Sequence, residues 1–169
     1  MASNQRTNGR FAEGPLIDDV NLRLLAELQE DARLSLAELG RRAGLSAPAV
    51  AERLQRLERQ GVIRGYRADI DPSALGLPLT AVIRVRPAPG QLQNVAERAR
   101  ATPEVVECTR VTGDDCYVMT AHLRGVGHLE EVIDRFTVLG QTTTSIAQSS
   151  PVPRRGLALD PDGLRATTT

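Results

Sequence analysis

The residues of this chain that could do chemistry are its arginines, the triplet Gly113-Asp114-Asp115, two cysteines and two histidines. All 21 basic residues of the 169 are arginine, balanced by 21 acids. Arginine binds phosphate and carboxylate bidentately, so anion recognition is open to the chain. The absence of lysine excludes a GxxxxGK[ST] phosphate loop, a Schiff-base lysine and a pyridoxal-phosphate anchor. Gly113-Asp114-Asp115 has the composition of a hairpin turn. If Thr112 pairs with Asp115, then Cys108 pairs with Met119 and Cys116 with Val111. The two thiols then lie on opposite sheet faces and no disulfide is expected. His122 and His128 are isolated and no Cys-x-x-Cys or His-x-x-His spacing exists, so no metal is expected and both read as surface residues. Four aromatics (Phe11, Tyr66, Tyr117, Phe136) are too few for single-strand binding by base stacking.

The zero net charge is an average. Residues 1–67 carry 11 Arg against 9 acids, and within them residues 41–67 carry 7 against 2. Residues 68–150 carry 7 against 10, and 151–169 carry 3 against 2. A basic segment followed by an acidic remainder points to two domains. No apolar run is long enough for a membrane span, the amino terminus has no apolar signal segment, and the expected location is the cytoplasm.

The elements that must position these groups follow from hydrophobic period. Residues 1–15 read as a disordered arm and 151–169 as a flexible tail. A first helix is predicted over 19–30, with Val20, Leu24, Leu25 and Leu28 on one face. Ser35 and Glu38 form a capping box at the start of a second, with Leu36 and Leu39 inward and Gly44 at its end. Ser46 caps a third, with Pro48 in its first turn, Val50, Leu54 and Leu57 inward, and Gly61 as terminator. Two helices joined by Ala43-Gly44-Leu45-Ser46 after a supporting helix make a helix-turn-helix. The third helix would present Ala47, Pro48, Ala49, Glu52, Arg53, Gln55, Arg56 and Arg59 outward. Small residues in front allow close approach to base edges, and arginines behind them can hold phosphates.

After Gly61 the alternation over 62–70 predicts a strand, and 71–78 a linker. Over 79–150 the order is strand 79–86, helix 91–101, strand 104–111, strand 116–124, helix 127–139 and strand 142–148. The expected fold is α+β: a three-helix winged helix-turn-helix domain (16–70), then a βαββαβ ferredoxin-like domain (79–150).

The stretches LRLLAELQEDARLSLAELGRRAGLSAPAVAERLQRLERQGVIRGYRADIDPSALG (22–76), PEVVECTRVTGDDCYVM (103–119) and LGQTTTSIAQSSPVPRR (139–155) resemble the Lrp/AsnC family of amino-acid-responsive transcription regulators. The chain departs from the family pattern at Asn21, where an acid is usual, and at Gln141, where many members have Val. The resemblance implies a recognition helix over 47–60, with Ser46, Pro48, Ala49, Glu52, Arg53 and Arg56 nearest double-stranded DNA and Ser35, Arg41 and Arg42 near its backbone. Ala49 would meet a thymine methyl, Glu52 a cytosine amino group or else orient Arg53 or Arg56, and Arg53 and Arg56 chiefly phosphates. It also implies a homodimer, extending to tetramers or octamers, with an effector pocket at a subunit interface. An amino acid there would set its ammonium on Asp114 or Asp115 beside Gly113 and its carboxylate on Thr142, Thr143 or Thr144, with Tyr117 as core or wall. No cofactor is implied. The alternatives are a sirohaem-decarboxylase-like enzyme on the same plan and an architectural DNA-binding protein without effector.

Overall fold

The computed structural model describes residues 16–159. It divides into two compact units, one formed by the chain up to Ala68 together with the segment from Arg154, the other by Asp69–Pro153.

The first unit holds α1 (Asp19–Glu30), α2 (Leu36–Ala43) and α3 (Ala47–Arg59). Each starts on a side-chain oxygen that takes an otherwise orphaned amide: Asp18 accepts from Asn21, Ser35 from Glu38 and Ser46 from Ala49. The capping box at Ser35 is only half made, because the Glu38 carboxylate turns to Arg41 and Arg42. Leu24, Leu39, Ala43, Val50, Leu54 and Leu57 form the core, with Leu25 and Leu28 packed at its edge. Leu36, expected inside, is 41% exposed. It lines a cleft of about 290 Å³ with Leu28, Leu54 and Tyr66.

The turn between α2 and α3 depends on two glycines. Gly44 is left-handed at φ 71°, as a helix-ending residue must be here. Gly40 lies against the turn itself: the Leu45 amide donates to its carbonyl at 2.8 Å, and a Cβ on Gly40 would stand 2.5 Å from the Leu45 carbonyl oxygen. The expected strand over 62–70 is absent, so the helix-turn-helix has no wing strand among the described residues. Its alternating residues find no ladder partner among the described residues, and without ladder pairing an extended segment is not a strand.

The second unit opens with a short 3-10 turn (Pro72–Leu75) within the segment read as linker. Its elements are β1 (Leu79–Pro87), α4 (Leu92–Arg100), β2 (Val105–Arg110), β3 (Tyr117–Leu123), α5 (Val126–Thr137) and β4 (Gly140–Ile146). The strands pair antiparallel in the order β2-β3-β1-β4. This is the βαββαβ ferredoxin-like architecture, and with the helical unit it makes an α+β chain. Alternate residues Ala81, Ile83, Val85 and Tyr117, Met119, Ala121, Leu123 pack with Val95, Ala99, Leu129, Val132 and Phe136 from the helices. Burying a side chain of this size contributes about 1.5–3 kcal/mol. The last strand begins two residues earlier than expected, at Gly140, whose α-carbon lies against the Arg86 carbonyl with no room for a side chain.

Candidate DNA-binding and effector sites

The residues expected at DNA are brought onto α2, α3 and their caps, but several are already occupied. Ser35 and Ser46 spend a lone pair each on capping. Arg41 and Arg42 both pair with Glu38, at 2.6 and 2.7 Å, and Arg42 also reaches Glu27 at 2.6 Å. These arginine hydrogen bonds hold the Glu38 carboxyl down at about 2. Pro48 and Glu52 are exposed, and Ala49 and Arg56 half-buried.

Arg53 does not lie with them. Its guanidinium turns to the start of α1, donating to Asp18 at 2.7 Å and to Asn21 at 2.9 Å. Burial pushes the Asp18 carboxyl up, but the hydrogen bonds from Arg53 and the Asn21 amide win and lower it. Asn21 is 2% exposed and also donates to the Leu16 carbonyl at 2.8 Å. It therefore closes a polar clasp between α1 and α3. The sequence carried a signal for this in Asn21 itself, a polar residue among the inward positions of an amphipathic helix. Arg53 could not be read that way, because its position on α3 fits an outward face as well. Tyr66 was missed too: its hydroxyl donates to Glu58 at 2.9 Å, and burial together with that carboxylate pushes its pKa up to about 12.

At the other unit, Val85 of β1 pairs with Tyr117 on one side and Thr142 on the other. The hairpin of Gly113, Asp114 and Asp115 and the start of β4 are thus held at one end of the sheet. Hairpin register is as expected, with Cys108 opposite Met119 and the Val111 amide donating to Cys116, and both cysteines are free. Gly113 has φ 108°, a conformation that favours glycine. Asp114 is exposed and pairs with Arg86 at 2.8 Å, and Arg86 also donates to the Asp114 carbonyl at 3.3 Å. Asp115 is half-buried.

The other residues expected at the effector differ in burial and in the sheet face they take. Tyr117 is 5% exposed and its hydroxyl donates to the Leu92 carbonyl at 3.0 Å, so it is a core residue. The three threonines do not act on one face: Thr142 and Thr144 lie opposite Val85 and Ile83 on the helix side, and Thr143 opposite Arg84 on the other.

His128 is no surface residue. It sits with 9% of its side chain exposed, accepting the Arg124 amide on Nδ1 and leaving Nε2 to donate to Glu104 at 2.9 Å. Arg135 completes the cluster at 3.0 Å from Glu104. Burial opposes ionisation of Glu104, but its own amide, His128 and Arg135 outweigh it and bring the carboxyl to about 2. Among the described residues, no three His, Cys, Asp or Glu side chains converge as a metal site, and no helix is long and apolar enough to cross a membrane.

A capped helix-turn-helix followed by an antiparallel βαββαβ domain defines a DNA-binding regulator with an appended sensing or assembly domain. Residues 17–58 match the AsnC-type helix-turn-helix domain and residues 80–157 the Lrp/AsnC ligand binding domain. The chain belongs to the Lrp/AsnC family of transcriptional regulators. It is 29% identical to the regulator LrpC of Bacillus subtilis over 83% of this chain and 97% of that protein. With LrpA of Mycobacterium tuberculosis it shares 36% identity over 80% of this chain and 89% of the relative. The solved structure of B. subtilis LrpC superposes with a TM-score of 0.78, covering 82% of this chain and 99% of that one. The M. tuberculosis regulator Rv3291c in complex with L-methionine superposes equally well, at 0.78 with 34% identity over 83% and 97% of the two chains. The Neisseria meningitidis regulator NMB0573 with L-methionine gives 0.76 at 26% identity over 82% and 94%. Relatives named as transcriptional regulators do not favour the decarboxylase or architectural alternatives.

Proposed function

We propose that this regulator sets α3 in the major groove of double-stranded DNA and responds to an amino acid held at the β2–β3 hairpin. The observation that carries the DNA reading is the front of α3: Ser46 caps it, Ala47, Pro48 and Ala49 follow, and no bulky side chain bars the helix from base edges. Glu52 and Arg56 lie one and two turns further on, and Ser35, Arg41 and Arg42 of α2 and its cap would meet the DNA backbone. Arg53 serves the clasp to α1 in place of a phosphate. In a binding titration over a range of salt, Arg56→Ala should lower both affinity and salt slope; an unchanged slope sinks the assignment.

For the effector, the L-methionine complexes of two relatives support an amino acid. Such a zwitterion matches the Arg86–Asp114 pair, ammonium to Asp114 and carboxylate to Arg86, with the pair opening to admit it. The Gly113 and Asp115 backbone and Thr142 or Thr143 would complete the site. Calorimetric titration of the full chain with the common amino acids tests this, with Asp114→Ala as control. Binding by none of them refutes the sensor reading. We also propose that the chain works as a homodimer, building to tetramers or octamers. The unpaired segment 62–70 and the half-buried Val82, Thr120 and Val118 on the sheet face away from the helices support it. Sedimentation at micromolar concentration checks it, and a monomer there would overturn it.

A further inference from the structure

We infer that the outer face of α1 is a docking site for the C-terminal segment Gly156–Leu159 of the same chain, so that the DNA-binding unit is tethered twice. Gln29, on that face, donates from Nε2 to the Leu157 carbonyl at 3.0 Å and accepts the Leu157 amide on Oε1 at 2.6 Å. A side-chain amide that serves both backbone groups of one residue does what a neighbouring strand would do. It captures extended backbone whatever the side chain. Gly156 makes room for this: a Cβ there would stand 2.9 Å from Cδ and Oε1 of Gln29. Beyond it, the half-buried Leu159 lines a cleft together with Ala26, Glu27 and Glu30. The sequence marked this segment only as part of a flexible tail; polar and proline-rich flanks say nothing about a receptor 128 residues away.

The occupant sits on the helix that positions the recognition helix. The same α1 buries Leu22 and Leu24 beneath it and supplies, at its start, the Asp18 and Asn21 that hold Arg53. The chain leaves the DNA-binding unit at Ala68 and rejoins it at Arg154. The returning stretch runs directly from the end of β4 through Pro151 and Pro153, whose fixed φ narrows the conformations it can take. A docked segment therefore gives β4 a second covalent route to α1 beside the 69–78 connection, and keeps α1 in place when DNA binds.

Hydrogen exchange at the Leu157 amide in the full-length protein tests the docking directly. Losing both bonds in Gln29→Ala should speed exchange there by about tenfold or more. Gly156→Val should do the same by displacing Gln29, and Gln29→Glu, which keeps the acceptor and loses the donor, should fall between. Cleavage by trypsin after Arg154 and Arg155 should rise in parallel. Gln29 is exposed, so circular dichroism should show all three variants folded. Equal exchange in wild type and Gln29→Ala overturns the proposal. Protection that grows with protein concentration assigns the groove to the tail of a second copy and overturns docking within one chain. DNA affinity should drop several-fold in Gln29→Ala; affinity unchanged while protection is lost overturns the tether's part in DNA binding.

Discussion

Arg53, on α3, donates at 2.7 Å to Asp18 at the cap of α1, and so ties the third helix of the helix-turn-helix unit to the first. Both side chains are about one-third exposed, and the buried Asn21 shares the guanidinium. Removing Arg53 leaves the Asn21 carbonyl oxygen without its donor. Arg53→Ala should therefore cost about 1–3 kcal/mol in stability, read from urea denaturation. The salt slope of DNA binding should stay near the wild-type value wherever the variant is folded. A variant as stable as wild type, with a reduced slope, would return Arg53 to the phosphates.

Arg56 should behave in the opposite way. Each phosphate contact contributes about 0.9 to the slope of log affinity against log salt. Arg56→Ala should lower the slope by about that amount, read from DNA-binding titrations over a range of salt.

Gly40 is expected to tolerate no side chain. Its Cβ would meet the Leu45 carbonyl oxygen at 2.5 Å, a backbone atom fixed by the 2.8 Å bond from the Leu45 amide to Gly40 itself. Gly40→Ala gains helix propensity of about 1 kcal/mol yet should destabilise the first unit, because the turn must open. A rise in thermal midpoint would show that the turn gives way freely.

Acid should release the Glu104 cluster. The Glu104 carboxyl is lowered from 4.5 to about 2, so its contribution to stability is complete above pH 4.5 and is lost as pH falls toward 2. The difference in thermal midpoint between wild type and Glu104→Gln should accordingly be largest near pH 5 and shrink toward pH 2. A difference independent of pH over that window would mean that the cluster is not held by charge.

Arg86→Ala separates pinning from recognition at the hairpin. The Arg86–Asp114 pair is exposed, so its loss should change stability by less than about 1 kcal/mol. Calorimetry should show weakened binding of a free amino acid and a smaller loss for its amide, which lacks the carboxylate. Equal losses for both would assign Arg86 to holding the hairpin.

Much of this protein was legible one residue at a time. Ser35, Gly44, Ser46 and Pro48 mark helix ends through local backbone chemistry, and the observed caps and φ values follow them. The period-2 strands and the hairpin register were readable for the same reason, since neighbours in sequence set which face each side chain takes. Side chains that could face either way were not. Arg53 fitted an outward helix face, and only the packing of α1 against α3 turned it to Asp18 and Asn21. Leu36 and the 62–70 segment have inward periodicity, but burial and strand pairing need a partner surface that the described residues do not bring to them. The clusters Glu104–His128–Arg135 and Gln29–Leu157 join positions far apart in sequence. By itself the sequence determined the helices, the four paired strands, their order and the family. The tertiary structure decided which charges are spent inside the fold, because that depends on distances between elements that no local pattern encodes.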